Sequence, residues 1–127
     1  MGKPTILVAE DERDIRELIV FTLQLSEYQV IDVSNGADAI LKAQEVLPDL
    51  ILLDVRMPKM TGYEACAALK AEAATQAIPV VFLSAKGQEA EIQQGKAAGA
   101  EAYLLKPFAP DELLDKVGTI LEKYNKL

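Results

Sequence analysis

The sequence predicts an α/β domain, a three-layer doubly wound (βα)5 arrangement with a five-stranded parallel sheet covered by helices on both faces. Short apolar runs occur at Thr5–Ala9, Tyr28–Val33, Leu50–Leu53, Ile78–Leu83 and Ala102–Leu105, each followed by a longer segment with helical spacing. Two runs, Leu50-Ile51-Leu52-Leu53 and Val80-Val81-Phe82-Leu83, are apolar throughout, as strands buried on both faces require. No repeat, linker or low-complexity run divides the 127 residues, which suit one domain spanning 1–127. Strands that alternate with helices join as right-handed crossovers, which makes the sheet parallel.

The elements follow in order. The first strand runs into Glu10-Asp11, and the first helix offers Ile15, Leu18, Ile19, Thr22 and Leu23 as one face. The second strand is interrupted by Asp32, which suits a sheet edge. Asn35 can cap the second helix, whose expected buried stripe is Ile40, Ala43 and Leu47 and which Pro48 stops. The third strand runs into Asp54. Thr61-Gly62-Tyr63-Glu64 has the form of a capping box opening the third helix, where Cys66 is a small packing residue. The fourth strand ends in Ser84. The fourth helix, Gln88–Ala98, has Ile92 and several alanines on its core side and Gly95 in its middle. A mid-helix glycine costs about 1 kcal/mol relative to alanine, so this is the expected least stable helix and a place for a moving part. The fifth strand ends in Lys106-Pro107. The fifth helix starts at Pro110 and turns Leu113, Val117, Ile120, Leu121 and Tyr124 inward.

Composition narrows the function. Thirteen basic against 20 acidic residues leave a net charge of −7, the wrong sign for a surface that holds nucleic acid. There is no histidine and one cysteine, Cys66. That excludes an internal disulfide, Cys/His catalysis, Ser-His-Asp triads and histidine-ligated metals. A reducing, cytoplasmic setting is expected, with no apolar stretch long enough for a signal peptide or membrane span.

In an open parallel sheet the ligand site lies beyond the carboxyl ends of the strands. Those ends carry Glu10, Asp11, Asp54, Ser84 and Lys106. Converging carboxylates repel unless a cation neutralises them, and Mg²⁺ (or Mn²⁺) suits an all-oxygen set. With such a cation Asp54 can serve as nucleophile toward a phosphoryl group. Lys106 supplies a second positive charge, and Ser84 a hydrogen bond to a phosphoryl oxygen.

These residues carry a resemblance. The chain resembles the CheY-like receiver domains of two-component response regulators. The matching segments are Ile6-Leu7-Val8-Ala9-Glu10-Asp11, Asp54-Val55-Arg56-Met57-Pro58, the segment ending in Ser84-Ala85, and Tyr103-Leu104-Leu105-Lys106-Pro107-Phe108. The resemblance spans essentially the whole chain and implies a flavodoxin-like sheet of strand order 2-1-3-4-5. It implies Asp54 as phosphoacceptor, Asp11 as direct metal ligand, Glu10 as an acid reaching the metal through water, and the Arg56 backbone carbonyl as a third protein ligand. Ser84 and Tyr103 match the switch hydroxyl and switch aromatic, and Lys106 the lysine that pairs with the phosphoryl group. The Lys106–Pro107 bond is expected to be cis.

The implied mechanism is signalling rather than turnover. A histidine kinase or phosphotransfer protein donates to Asp54. Ser84 and Tyr103 then move, and the face of helix four, strand five and helix five repacks to control a downstream protein or an output domain of the same regulator. The only catalysis implied is self-catalysed phosphotransfer and slow autodephosphorylation. The expected state is a monomer or a phosphorylation-linked dimer that binds neither nucleic acid nor membrane. A stand-alone receiver is favoured over a fragment of a longer regulator.

Two departures from the family pattern stand out. Ala109 takes the place of a capping Ser or Asp before Pro110. Arg56 and Lys86, two residues beyond Asp54 and Ser84, are both basic and could either shield the phosphoryl group or attract a partner.

Each site residue alone has an ordinary explanation. An acidic pair after a strand favours a helix N-terminus, and an Asp at a strand end, a Ser in a turn and a solvated Lys are common. Their joint placement at strand ends is what points to chemistry. Rival classes lack their own signals. A flavodoxin-like electron carrier needs a hydroxyl- and glycine-rich phosphate loop where Glu10-Asp11-Glu12-Arg13-Asp14 stands. A phosphatase of the haloacid dehalogenase type needs a second acid where Arg56 stands, and no Gly-x-Gly-x-x-Gly follows the first strand.

Overall fold

The structure, a computed structural model, describes residues 2–85 and 89–127, leaving aside the side chains of 85, 89–92 and 95. Its elements alternate as β1 (Thr5–Ala9), α1 (Arg13–Leu25), β2 (Gln29–Val33), α2 (Gly36–Val46), β3 (Leu50–Asp54), α3 (Gly62–Ala71), β4 (Val80–Ala85), α4 (Glu89–Ala98), β5 (Ala102–Lys106) and α5 (Pro110–Lys123). The strands form one parallel sheet of order β2-β1-β3-β4-β5. β4 begins at Val80 rather than Ile78, because the Ile78 N–H closes a turn onto the Thr75 carbonyl and Pro79 has no N–H to give.

Alternation along the strands divides the core in two. Ile6, Val8, Leu50, Leu52, Val81, Leu83 and Leu104 pack against Ile19 and Leu23 of α1 and the buried face of α5. Leu7, Ala9, Ile51, Leu53, Val80 and Phe82 face the other way, against Ala39 and Ala43 of α2 and Ala65, Cys66 and Leu69 of α3. Every residue of β3 is buried, and each fully buried Leu or Ile contributes about 1.5–3 kcal/mol relative to exposure. β2 lies at the sheet edge, as its broken apolar pattern implies.

The helix ends follow the sequence closely. Asn35 accepts from the Asp38 N–H at 2.8 Å. Thr61 and Glu64 make both halves of a capping box at α3. At α5 only one half exists: Ala109 has no side-chain acceptor, but Glu112 reaches back to its N–H at 2.9 Å. Cys66 is buried and donates to the Ala98 carbonyl, and burial pushes its thiol up to about 11.

Two expected core residues are not core. Leu18 is 55% exposed, at the margin of the α1 stripe above a shallow apolar cleft with Phe108 and Pro110. Leu47 is 53% exposed because α2 ends one residue earlier and the backbone turns left-handed there, at φ 48°. Ala39 takes the buried place instead. In the fourth helix, the surroundings of Ile92 and Gly95 lie outside the described residues, as does Lys86.

Candidate phosphoryl-acceptor site

The same alternation builds the site. Glu10 continues the side of Ile6 and Val8, Asp54 that of Leu50 and Leu52, and Lys106 that of Leu104. β1, β3 and β5, with β4 lying between the last two, therefore deliver two carboxylates and an ammonium on one side of the sheet, at its carboxyl end. Carboxylate oxygens of Glu10, Asp11 and Asp54 all lie within 4.8 Å of one another. Asp11, Asp54, Arg56 and Lys106 line an open cleft of about 330 Å³.

Burial makes this cluster electrostatically demanding. Glu10 is fully buried and Asp54 is 5% exposed, whereas Asp11 faces solvent. Lys106 Nζ donates to Asp54 Oδ1 at 3.1 Å and stands 2.9 Å from Glu10 Oε1. The second contact is close enough for ionic attraction but misaligned, and Glu10 Oε1 accepts no hydrogen bond among the described residues. Glu10 Oε2 accepts from the Glu12 N–H. One ammonium thus serves two buried carboxylates.

The titration of the site follows from this. Burial, then repulsion from Glu10, pushes Asp54 up to about 7, against the opposing pull of Lys106. For Lys106, burial works against the ammonium, but the Glu10 and Asp54 carboxylates outweigh it and hold its pKa above the usual lysine range. The residues fit a hard divalent cation. The donor set is all oxygen, one buried carboxylate oxygen lacks a donor, and the negative charge exceeds what Lys106 neutralises.

Backbone contacts fix the position of Asp54. The Val55 N–H donates to the Leu83 carbonyl, and the Gly62 N–H to the Val55 carbonyl at 2.8 Å. A Cβ on Gly62 would lie 2.2 Å from the Asp54 carbonyl oxygen, so the first turn of α3 seats against the end of β3 only because residue 62 has no side chain. Ser84 is buried one position beyond Leu83, the register partner of Asp54. By alternation Ser84 belongs to the α3 side, with Phe82. Tyr103 is the register partner of Phe82, and their ring centroids are 5.6 Å apart. The Lys106–Pro107 peptide bond is cis.

Residues 6–118 match the family described as response regulator receiver domain. The chain belongs to that family. This receiver domain is 38% identical over 122 residues to the phosphate regulon transcriptional regulatory protein PhoB of Klebsiella pneumoniae, covering 96% of this chain and 53% of that protein. It spans about half the length of the curated relatives it matches. Among solved structures it is similar to the chemotaxis response regulator CheY4 of Vibrio cholerae, with a TM-score of 0.90 and 34% identity, covering 94% of this chain and all of that one. The receiver domain of the sensor histidine kinase PA1611 from Pseudomonas aeruginosa aligns with a TM-score of 0.89 and 28% identity over 95% of this chain and 99% of that one. That structure is described with a magnesium ion coordinated in the active site cleft.

Two contributors to the receiver site carry no functional signal in the sequence. Gly62 could have been flagged only as part of the capping segment. Arg16 lies inside α1, yet its Nη1 donates to the Glu10 backbone carbonyl at 2.8 Å.

Proposed function

We propose that this chain is one receiver unit spanning 1–127 that accepts a phosphoryl group on Asp54. The observation that carries the reading is the convergence of buried Glu10 and Asp54 on a single lysine with Asp11 beside them, three carboxylates against one ammonium and so two positive charges short of balance. Glu10, Asp11, Asp54 and the Arg56 backbone carbonyl would hold Mg²⁺ or Mn²⁺, which supplies charge neutralisation for the incoming phosphoryl oxygens.

An Asp54 carboxylate oxygen attacks phosphorus, and the bond from phosphorus to the donor breaks, leaving an acyl phosphate on Asp54 and the electron pair on the donor. The donor is a histidine kinase or a phosphotransfer protein. Lys106, already hydrogen-bonded to Asp54, is placed to stay with the modified side chain as its charge grows. Ser84 hydrogen-bonds a phosphoryl oxygen, and Tyr103 follows on the same side of the sheet.

Tyr103 and Leu105 border a surface groove with Glu112 and Lys116 of α5, so their movement changes the α4-β5-α5 face offered to a partner. The modification is stoichiometric, a signal input rather than a turnover site, and the acyl phosphate is lost by slow autohydrolysis. The controlled target is a downstream protein or an output domain of the same regulator, in the cytoplasm, with the receiver a monomer or a phosphorylation-linked dimer. No helix among the described residues is long and apolar enough to cross a membrane, and the net charge of −7 argues against nucleic acid as this unit's ligand.

Incubation with acetyl phosphate and Mg²⁺, followed by intact-mass measurement, tests the reading. One added phosphoryl group is expected in the parent and none in Asp54→Asn. Equal addition in both would remove Asp54 from the role.

A further inference from the structure

The turn that carries Glu10 and Asp11 is not held by its own helix cap. Glu12, the residue before α1, makes no side-chain capping bond. The turn is tied to β2 instead. The Glu10 N–H donates to the Val33 carbonyl at 3.1 Å, and Arg16 completes the tie. Arg16 Nη1 donates to the Glu10 carbonyl at 2.8 Å, and its Nε donates to Asp32 Oδ2 at 3.1 Å. The Arg16 side chain is only 18% exposed, so this guanidinium is packed rather than solvated. A planar fork with fixed donor directions can meet a backbone carbonyl and a strand-borne carboxylate at once.

We propose that Arg16 is a positioning residue for the cation site, acting through the Glu10 carbonyl and anchored by Asp32. It touches neither phosphoryl donor nor cation. It fixes the backbone from which the Glu10 and Asp11 carboxylates project. Groups that orient ligands in this way typically contribute about ten- to a hundredfold to metal affinity. The inference rests on the cation reading above.

Charge alone predicts the opposite sign. Arg16 is a cation near an acidic pocket, so removing it should strengthen divalent cation binding if only its field mattered. Positioning predicts weaker binding. A purely structural role predicts a lower melting temperature with unchanged affinity.

Free Mn²⁺ measured by electron paramagnetic resonance during titration of the whole chain separates these outcomes. Arg16→Met keeps the packed stem but removes the donors. It is expected to bind Mn²⁺ about tenfold more weakly than the parent. Arg16→Lys keeps the charge but cannot span both acceptors, and a several-fold loss is expected. If Arg16→Met does not fold by circular dichroism, Arg16→Lys decides the matter. Binding equal to or tighter than the parent in the folded variants overturns the inference and leaves the cation reading standing. A parent that binds no Mn²⁺ sinks both.

Discussion

The charge imbalance in the pocket has a measurable cost, and Asp54→Asn should recover part of it. Asp54 is raised from 3.8 to about 7 in the folded chain, chiefly by burial and then by Glu10. An acid whose folded pKa lies above its unfolded pKa binds more protons folded than unfolded between the two values. Stability therefore falls as pH rises from about 4 to about 7 and is flat above that. At 1.36 kcal/mol per pH unit the whole displacement corresponds to about 4 kcal/mol. This is a ceiling for the variant, because an uncharged Asn also gives up the ionic part of the Lys106 contact at 3.1 Å. We expect Asp54→Asn to be about 1–3 kcal/mol more stable than the parent at pH 8 in EDTA. The advantage should shrink as pH falls from about 7 toward about 4 and approach zero only below the unfolded pKa of 3.8, where the parent carboxyl is protonated in both states. Urea denaturation at a series of pH values measures it. A variant no more stable than the parent at pH 8, or an advantage independent of pH, would refute the account of the pocket.

Other consequences follow from the same geometry. Gly62→Ala puts a Cβ 2.2 Å from the Asp54 carbonyl oxygen, so α3 must shift; urea denaturation should show a loss above about 2 kcal/mol, accompanied by slower phosphoryl acceptance from acetyl phosphate. Thr61→Ala removes one half of the α3 capping box and should cost about 1 kcal/mol while leaving Mn²⁺ affinity unchanged. Tyr124 donates to Glu101 Oε1 at 2.5 Å, tying the end of α5 to the start of β5, and Tyr124→Phe should cost about 1 kcal/mol in urea denaturation at neutral pH. The Lys123 and Tyr124 hydrogen bonds lower the Glu101 pKa below its usual 4.5. Their stabilisation is thus present above 4.5 and lost as pH falls through the folded value, so the Tyr124→Phe deficit should narrow in acid.

Much of this structure is legible in the amino-acid sequence. Uninterrupted apolar runs located β3 and β4, because strands covered on both faces cannot alternate with polar residues. Asn35 and Thr61 marked helix starts through bonds made within three residues, which local sequence specifies. The site acids were legible because each directly follows or ends a strand, and the parallel sheet brings those ends together. Parallel alternation by itself does not order the strands, and the 2-1-3-4-5 order came with the resemblance.

What escaped reading depends on distant geometry. Periodicity gives the direction of a helical stripe, not where neighbouring elements stop covering it, so the α1 stripe predicts Leu18 in the core although the structure exposes it. Leu47 left the stripe because the helix ended before it. Arg16 had no signature, since its essential acceptor is a backbone carbonyl that every residue possesses. Glu112 supplied half a capping box where Ala109 suggested none. That Lys106 bridges Glu10 and Asp54 required the distances themselves.

The central claim is that a phosphoryl group resides on the Asp54 carboxylate. Borohydride reduces an acyl phosphate of aspartate to homoserine and leaves free carboxylates intact. Peptide sequencing after treatment with acetyl phosphate, Mg²⁺ and borohydride should find homoserine at position 54, and only when Mg²⁺ was present. Homoserine at position 11, or at no position in a chain that has gained phosphoryl mass, would contradict the account.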